Sequence, residues 1–345
     1  MGEYARSLAI ASAARTRWPA AAVHFMLSRE APYAAGARVP KTLLASSPTF
    51  HSAAVIERLE EFRPHVVVFD NAGRTAQLRA ARRVGARIVF VSARARQRRK
   101  AFRWRWMALI DEHWIAYPQF IAGAPRWSER CKLAVLRRPV VRYLDVILPP
   151  PFRGEAPAAA AGSAARSGVL VVPGGGTDHP GASGAVGRFR EAARTIAAGG
   201  WTTRFVGPAD GAGGGEGAGD GEGAADSPPL HLSGPLPLAE LAAAMRSAAV
   251  VVCNGGSTLL QAIACGAPCV AAPIARDQAQ RIERCAAAGA AVAVRAEAAP
   301  IAAAALRLLG EPAVRDALTA RAAGLALADG IGIALNALAG LLGDV

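Results

Sequence analysis

Short apolar runs alternate along this chain with longer segments of mixed pattern. AVHFML (22–27), HVVVFD (65–70) and RIVFVS (87–92) are apolar at consecutive rather than alternate positions. That pattern predicts strands covered on both faces, as in a parallel sheet. Between them, YARSLAIASAARTR (4–17), VIERLEEF (55–62) and RTAQLRAARRVG (74–85) read as helices, and KAFRWRWMALIDEHWIAYP (100–118) as a helix followed by a short strand. The proline-rich LPPPFRG (148–154) and the Ala/Gly/Ser stretch after it predict a linker over 151–167. The alternation then resumes. Strands are expected within 168–176, 201–207, 231–234, 250–254, 269–273 and 291–294. Helices are expected over 187–200, 238–248, 258–266 and 277–289 and at the C-terminus. Residues 209–229, rich in Gly, Ala and acidic residues, read as a low-complexity surface loop. At 345 residues the chain suits two domains. The expectation is α/β, with Rossmann-like parallel-sheet domains over 1–150 and 168–345.

Charge is unevenly spread. Residues 1–150 hold 26 of the 40 Lys+Arg and 10 of the 26 Asp+Glu, a net of +16, and the remainder carries −2. A cationic half suggests an anionic partner, although drift toward arginine explains part of it, lysine occurring only at 41, 100 and 132. Five cysteines without a CxxC pair, no charged-then-apolar leader and no uninterrupted run of about 18 apolar residues give the expectation of a cytoplasmic protein.

Two predicted strands end in glycine-rich turns, PGGGTDH (173–179) and NGGST (254–258). In parallel α/β domains ligands gather at the carboxyl ends of strands. Glycine permits close approach of the backbone to a phosphate, and the next helix presents unpaired N–H groups and a partial positive charge. The turn at 254–258 therefore suits a diphosphate. An ordinary strand-to-helix turn capped by Ser257 or Thr258 is the plainer alternative.

Downstream, GAPCVAAPIARDQ (266–278) has the spacing G-x-P-x-x-x-x-P-x-x-x-D-Q. With it, residues 168–295 resemble the C-terminal domain of GT-B nucleotide-sugar glycosyltransferases. These include the MurG-like enzymes (glycosyltransferase family 28) and the plant-type UDP-glycosyltransferases; residues 2–150 resemble them weakly. The resemblance implies two domains facing a cleft and a UDP-type sugar as co-substrate, with no cofactor and no metal. It implies that Gly174, Gly175, Gly176, Thr177, Asn254, Gly255, Gly256, Ser257 and Thr258 face the donor diphosphate, and that Asp277 and Gln278 bind sugar hydroxyls. Gln261 stands where relatives place a ribose-binding glutamate, and Cys253 where many have a histidine. GEYARSLAIASA (2–13) is similar to the end of a glycine-rich motif that relatives carry between a first strand and a helix. No such strand is read before Gly2, and Glu3 occupies the usual histidine position. Glu3 is one candidate base and Asp70, at a predicted strand end, the other. Arg6 fits the UDP-sugar hydrolases of the pseudaminic acid pathway.

RARQRRKAFRWRWMALI (94–110) interleaves arginine with tryptophan. On one helix it would suit an anionic membrane surface. A core face with solvated arginines is a second reading, and single-stranded nucleic acid the weakest. The function expected is metal-independent transfer of a hexose or N-acetylhexosamine from a UDP-type donor to a hydroxyl of a lipid-linked or cell-envelope glycan, at the cytoplasmic face of the inner membrane. A nucleotide-sugar hydrolase and a non-catalytic nucleotide-sugar-binding protein are the alternatives.

Overall fold

The apolar runs at 88–91 and 250–254 are buried at every position, as where helical layers cover both faces of a sheet, whereas the run at 66–70 leaves Val68 41% exposed. The computed structural model describes residues 2–31, 33–149, 166–174, 184–207 and 230–343. They fall into two units, one of residues 3–147 with 328–345 and one of residues 148–327.

The first unit runs α1 (Gly2–Arg17), β1 (Phe25–Ser28), β2 (Lys41–Leu44), α2 (Ser52–Phe62), β3 (Val66–Asp70), α3 (Thr75–Arg83), β4 (Arg87–Ser92), α4 (Ala95–Ala101), α5 (Trp104–Met107), β5 (Glu112–Ile115), α6 (Gln119–Ala122), α7 (Trp127–Leu136) and β6 (Val140–Tyr143). Strands β3-β4-β5-β6 form one parallel sheet in that order, and β1 and β2 a separate parallel pair. Alternate residues of β4 serve opposite layers. Ile88 and Phe90 pack with Val55 and Leu59 of α2, Leu78 of α3 and Trp106 of α5. Val89 and Val91 pack with Ile10 of α1 on the other face.

The second unit runs β7 (Val169–Val172), α8 (Ala185–Ala198), β8 (Thr203–Val206), β9 (Leu230–Ser233), α9 (Leu238–Ser247), β10 (Val250–Asn254), α10 (Ser257–Ala264), β11 (Cys269–Ala272), α11 (Arg276–Ala287), β12 (Val292–Ala293), α12 (Ala298–Gly310) and α13 (Pro312–Gly324). Its sheet is parallel throughout, in the order β12-β11-β10-β7-β8-β9. Val169, Val171, Val250 and Val252 turn toward Phe189 and Ile196 of α8 and toward Ile301 and Ala305 of α12.

Three features depart from the sequence reading. First, the final helix α14 (Gly330–Leu342) belongs to the first unit, not to a domain ending at 345. Its stripe of Ile331, Ala334, Ala337 and Leu338 joins Val89, Val91 and Trp114. Asp329 caps it by accepting from the Ile331 N–H (2.9 Å), and the Gly330 N–H donates to the Val146 carbonyl (2.9 Å). Second, residues 94–110 are not one helix. The chain is extended at Arg103, which separates α4 from α5. Phe102, Trp106, Met107 and Ile110 are core, while Trp104 stays 51% exposed. Third, β2 and β6 are strands that the pattern did not announce. Each is four residues long and carries a charged residue, Lys41 or Arg142. The predicted linker, apart from Arg166 and Ser167, and the 209–229 loop lie outside the described residues.

Two tests follow from this packing. A Cβ on Gly330 would strike the Leu144 carbonyl, whereas Gly340 on the same helix faces open space. Gly330→Ala should cost about 1–3 kcal/mol in urea unfolding, and Gly340→Ala should gain about 0.5–1 kcal/mol. The second test concerns His113, which is fully buried in β5 with Ser92 Oγ 2.8 Å from its Nε2. Burial, then Arg98, pushes its pKa down to about 3. The unfolded chain therefore binds a proton that the folded chain refuses, so stability should fall as pH drops from about 6.5 toward 3. Unfolding midpoints across that range should show a flatter slope in His113→Phe.

Candidate active site

Sheet order fixes where a ligand site can form in the second unit. From β7 the chain builds outward through β8 and β9, then returns to the other side of β7 for β10, β11 and β12. The reversal lies between the neighbouring strands β7 and β10. In open parallel sheets a crevice opens at the carboxyl ends of the two strands flanking such a switch. The turns at Pro173–Gly174 and Asn254–Gly256 follow those two strands.

Asn254 ties the turns together. Its Nδ2 donates to the Pro173 carbonyl (2.6 Å) and its Oδ1 accepts from the Gly256 N–H (2.7 Å). The bridge requires glycine on both sides. Gly174 has φ +106°, and a Cβ there would run into Asn254 Nδ2. A Cβ on Gly256 would stand 2.8 Å from Asn254 Oδ1, and one on Gly255 would stand 2.6 Å from Ile282.

Helix α11 braces the same turn from behind. Gln278, buried, accepts at Oε1 from the N–H groups of Gly255 (3.2 Å) and Ile274 (2.9 Å). Arg281, also buried, donates to the Gly255 carbonyl and pairs with Asp277 (3.3 Å). Sequence reasoning missed Arg281; its only signal is the i,i+4 spacing from Asp277. The structure thus uses Asn254 and the carbonyl of Gln278 to shape the turn, although the resemblance had assigned both to the ligand. Asp277 remains 55% exposed at the start of α11.

This bracing leaves the start of α10 open. Its N-cap is Gly256, which has no side chain to accept from the first-turn N–H groups. Ser257 and Thr258 are half-buried on that turn, and Gln261 is buried one turn on. The result is a helix N-terminus whose N-cap supplies no side-chain acceptor among the described residues; with its partial positive charge and two flanking hydroxyls it has a physical basis for anion binding. Cys253 points away into the core, where burial raises its thiol pKa. It packs as a small apolar group and cannot replace a histidine at the turn. Gly175, Gly176 and Thr177 lie outside the described residues.

In the first unit, the candidate carboxylates meet at the start of α1. Asp70, at the end of β3, accepts from Arg6 Nε (3.1 Å), Arg6 Nη2 (2.5 Å) and Ser7 Oγ (2.9 Å). Burial opposes the Arg6 charge, but Asp70 outweighs it and raises the arginine pKa. Asp70 thus anchors α1 to the sheet. Glu3 is exposed and accepts from Asn71 Nδ2 (2.8 Å), while Asn71 Oδ1 accepts from the Ala93 N–H (2.7 Å). Tyr4 stacks on Tyr33 beside them, ring centroids 4.2 Å apart.

No protein-family model matches the chain, and no curated protein matches it. Solved structures match in fold. The calicheamicin glycosyltransferase CalG4 is 17% identical with a TM-score of 0.60, over 99% of this chain and 95% of that one. LpCGTa in complex with UDP is 13% identical with a TM-score of 0.58, over 98% and 96%. A UDP-N-acetylglucosamine 2-epimerase is 13% identical with a TM-score of 0.57, over 97% and 92%. The chain therefore has the α/β fold of the GT-B glycosyltransferases, built on parallel sheets.

Gln278→Ala tests the bracing. It removes the acceptor of two backbone N–H groups and should cost about 2–3 kcal/mol in chemical denaturation without ligand. A residue that serves only a sugar would leave unliganded stability unchanged.

Proposed function

We propose that the protein transfers a sugar from a nucleoside diphosphate donor, of UDP type, to an acceptor hydroxyl. The observation that carries this reading is the uncapped N-terminus of α10 behind a braced Gly-Gly turn at the switch point of the second sheet. In the reaction the acceptor oxygen attacks the anomeric carbon and the bond from that carbon to the diphosphate oxygen breaks. The electron pair leaves with the diphosphate. Backbone N–H groups of α10 and the hydroxyls of Ser257 and Thr258 stabilise that charge without reorganising, a role that needs no metal ion. Asp277, exposed at the start of α11, meets sugar hydroxyls. Glu3 takes the acceptor proton, because the Asp70 oxygens are already committed to Arg6 and Ser7. The UDP of LpCGTa and the diphosphate sugar of the epimerase support the donor class.

A hydrolase is the second reading, favoured by the epimerase match: one fold serves reactions besides transfer to an acceptor. A non-catalytic nucleotide-sugar binder is the third. A lipid-linked or cell-envelope acceptor stays part of the proposal for transfer.

Thermal unfolding with UDP tests the donor site. UDP at about 100 times its dissociation constant should add roughly 2.7 kcal/mol and raise the midpoint by roughly 5–10 °C. Ser257→Asp should leave the unliganded midpoint unchanged or slightly higher, since a carboxylate suits a helix start, yet abolish the UDP shift by repelling the diphosphate. No shift with any nucleoside diphosphate would refute the reading. Consumption of a UDP-sugar without acceptor would select the hydrolase, and binding without turnover the binding protein.

A further inference from the structure

The break in the 94–110 segment leaves one aromatic, Trp104, outside, and α7 sets an exposed apolar stripe near it. Trp127 is 74% exposed and Val135 71% exposed. With Cys131, also exposed, they stand at i, i+4 and i+8, so a single stripe of α7 faces outward. Lys132 on the same helix joins this stripe to α5. Its Nζ donates to the Phe102 carbonyl (3.1 Å) and lies 5.9 Å from the ring of Trp104, which is 51% exposed.

The charge around these indoles has one sign. Residues 93–144 contain thirteen Arg and Lys and three carboxylates. All three carboxylates are turned inward. Asp111 accepts from the Ile88 N–H and pairs with Arg82 and Arg138. Glu112 pairs with Arg142 and accepts from Trp114 Nε1. Glu129 pairs with Arg98. The exposed Arg103, Arg105, Arg126, Arg130 and Arg137 therefore flank Trp104, Trp127 and Val135 along the chain, with no exposed acid in this segment.

We propose that this α5–α7 face docks the protein on an anionic lipid bilayer, the arginines meeting headgroup phosphates and Trp104, Trp127 and Val135 entering the interface. Trp127 and Val135 lie along the outward stripe of α7, with Trp104 on α5, where they can enter a deformable apolar layer. A nucleic-acid strand would instead want stacking platforms along a groove. The partner's chemistry is set by complementarity: negative charge in a sheet, with apolar matter beneath it. This inference does not depend on the donor site.

The test is flotation of the full chain with vesicles of pure phosphatidylcholine and with vesicles holding one-third phosphatidylglycerol. The expected result is binding to the anionic vesicles alone, weakened by salt, with a blue shift of tryptophan emission. Arg126→Gln and Arg130→Gln should each loosen binding by about fivefold. Trp127→Ala/Val135→Ser should weaken it at every salt concentration. Circular dichroism and unfolding midpoints matching the wild type would show that these surface changes leave the fold intact. Equal behaviour toward the two vesicle types, or undiminished binding by the folded Trp127→Ala/Val135→Ser variant, would overturn the proposal. Salt-sensitive binding to a single-stranded oligonucleotide with vesicle binding at background would also overturn it, in favour of nucleic acid.

Discussion

The side-chain amide of Asn254 spans the carboxyl ends of β7 and β10, bonded to Pro173 on one side and Gly256 on the other. A side-chain amide in that span leaves no space for a Cβ at Gly174 or Gly256. The glycines are thus a consequence of the brace. With Asn254 turned inward, the N-cap Gly256 offers α10 no side-chain acceptor. A Ser or Asp at position 256 could accept from the first-turn N–H groups, but its Cβ would collide with Asn254 Oδ1.

The brace extends into α11 and ties the motif at 266–278 to the same turn. Gln278 holds the N–H groups of Gly255 and Ile274, and Arg281 holds the Gly255 carbonyl. The turn is therefore held by the protein's own side chains, the condition under which fixed dipoles would stabilise developing charge at little reorganisation cost. The first unit follows similar logic at the start of α1. Arg6 and Ser7 hold Asp70, while Asn71 holds both Glu3 and the Ala93 N–H, so two strand ends and a helix start share one hydrogen-bonded cluster.

The alternation of apolar runs and helices made the parallel α/β architecture legible, because strands such as RIVFVS and VVVCN are buried on both faces. It did not reveal β2 or β6, whose short, mixed patterns depend on neighbours for their pairing. Nor did it place α14, since an apolar stripe does not say which sheet it will cover. At the site, the glycine turns were legible from Gly-Gly spacing before a helix. The roles of Asn254 and Gln278 were not, because a polar residue beside a glycine turn looks the same whether it points at a ligand or at the backbone. For 94–110 the reading as a single amphipathic helix failed at Arg103. The demand to bury Phe102, Trp106 and Met107 against the sheet overrode helical continuity.

Amide hydrogen exchange across residues 254–260, with and without UDP, tests the central claim most directly, because that claim concerns backbone N–H groups. The account predicts slowed exchange at Ser257, Thr258 and Leu259 when UDP is bound, and a much smaller effect from uridine, which lacks the diphosphate. UDP that binds without protecting these amides, or protects only groups elsewhere in the chain, would contradict it.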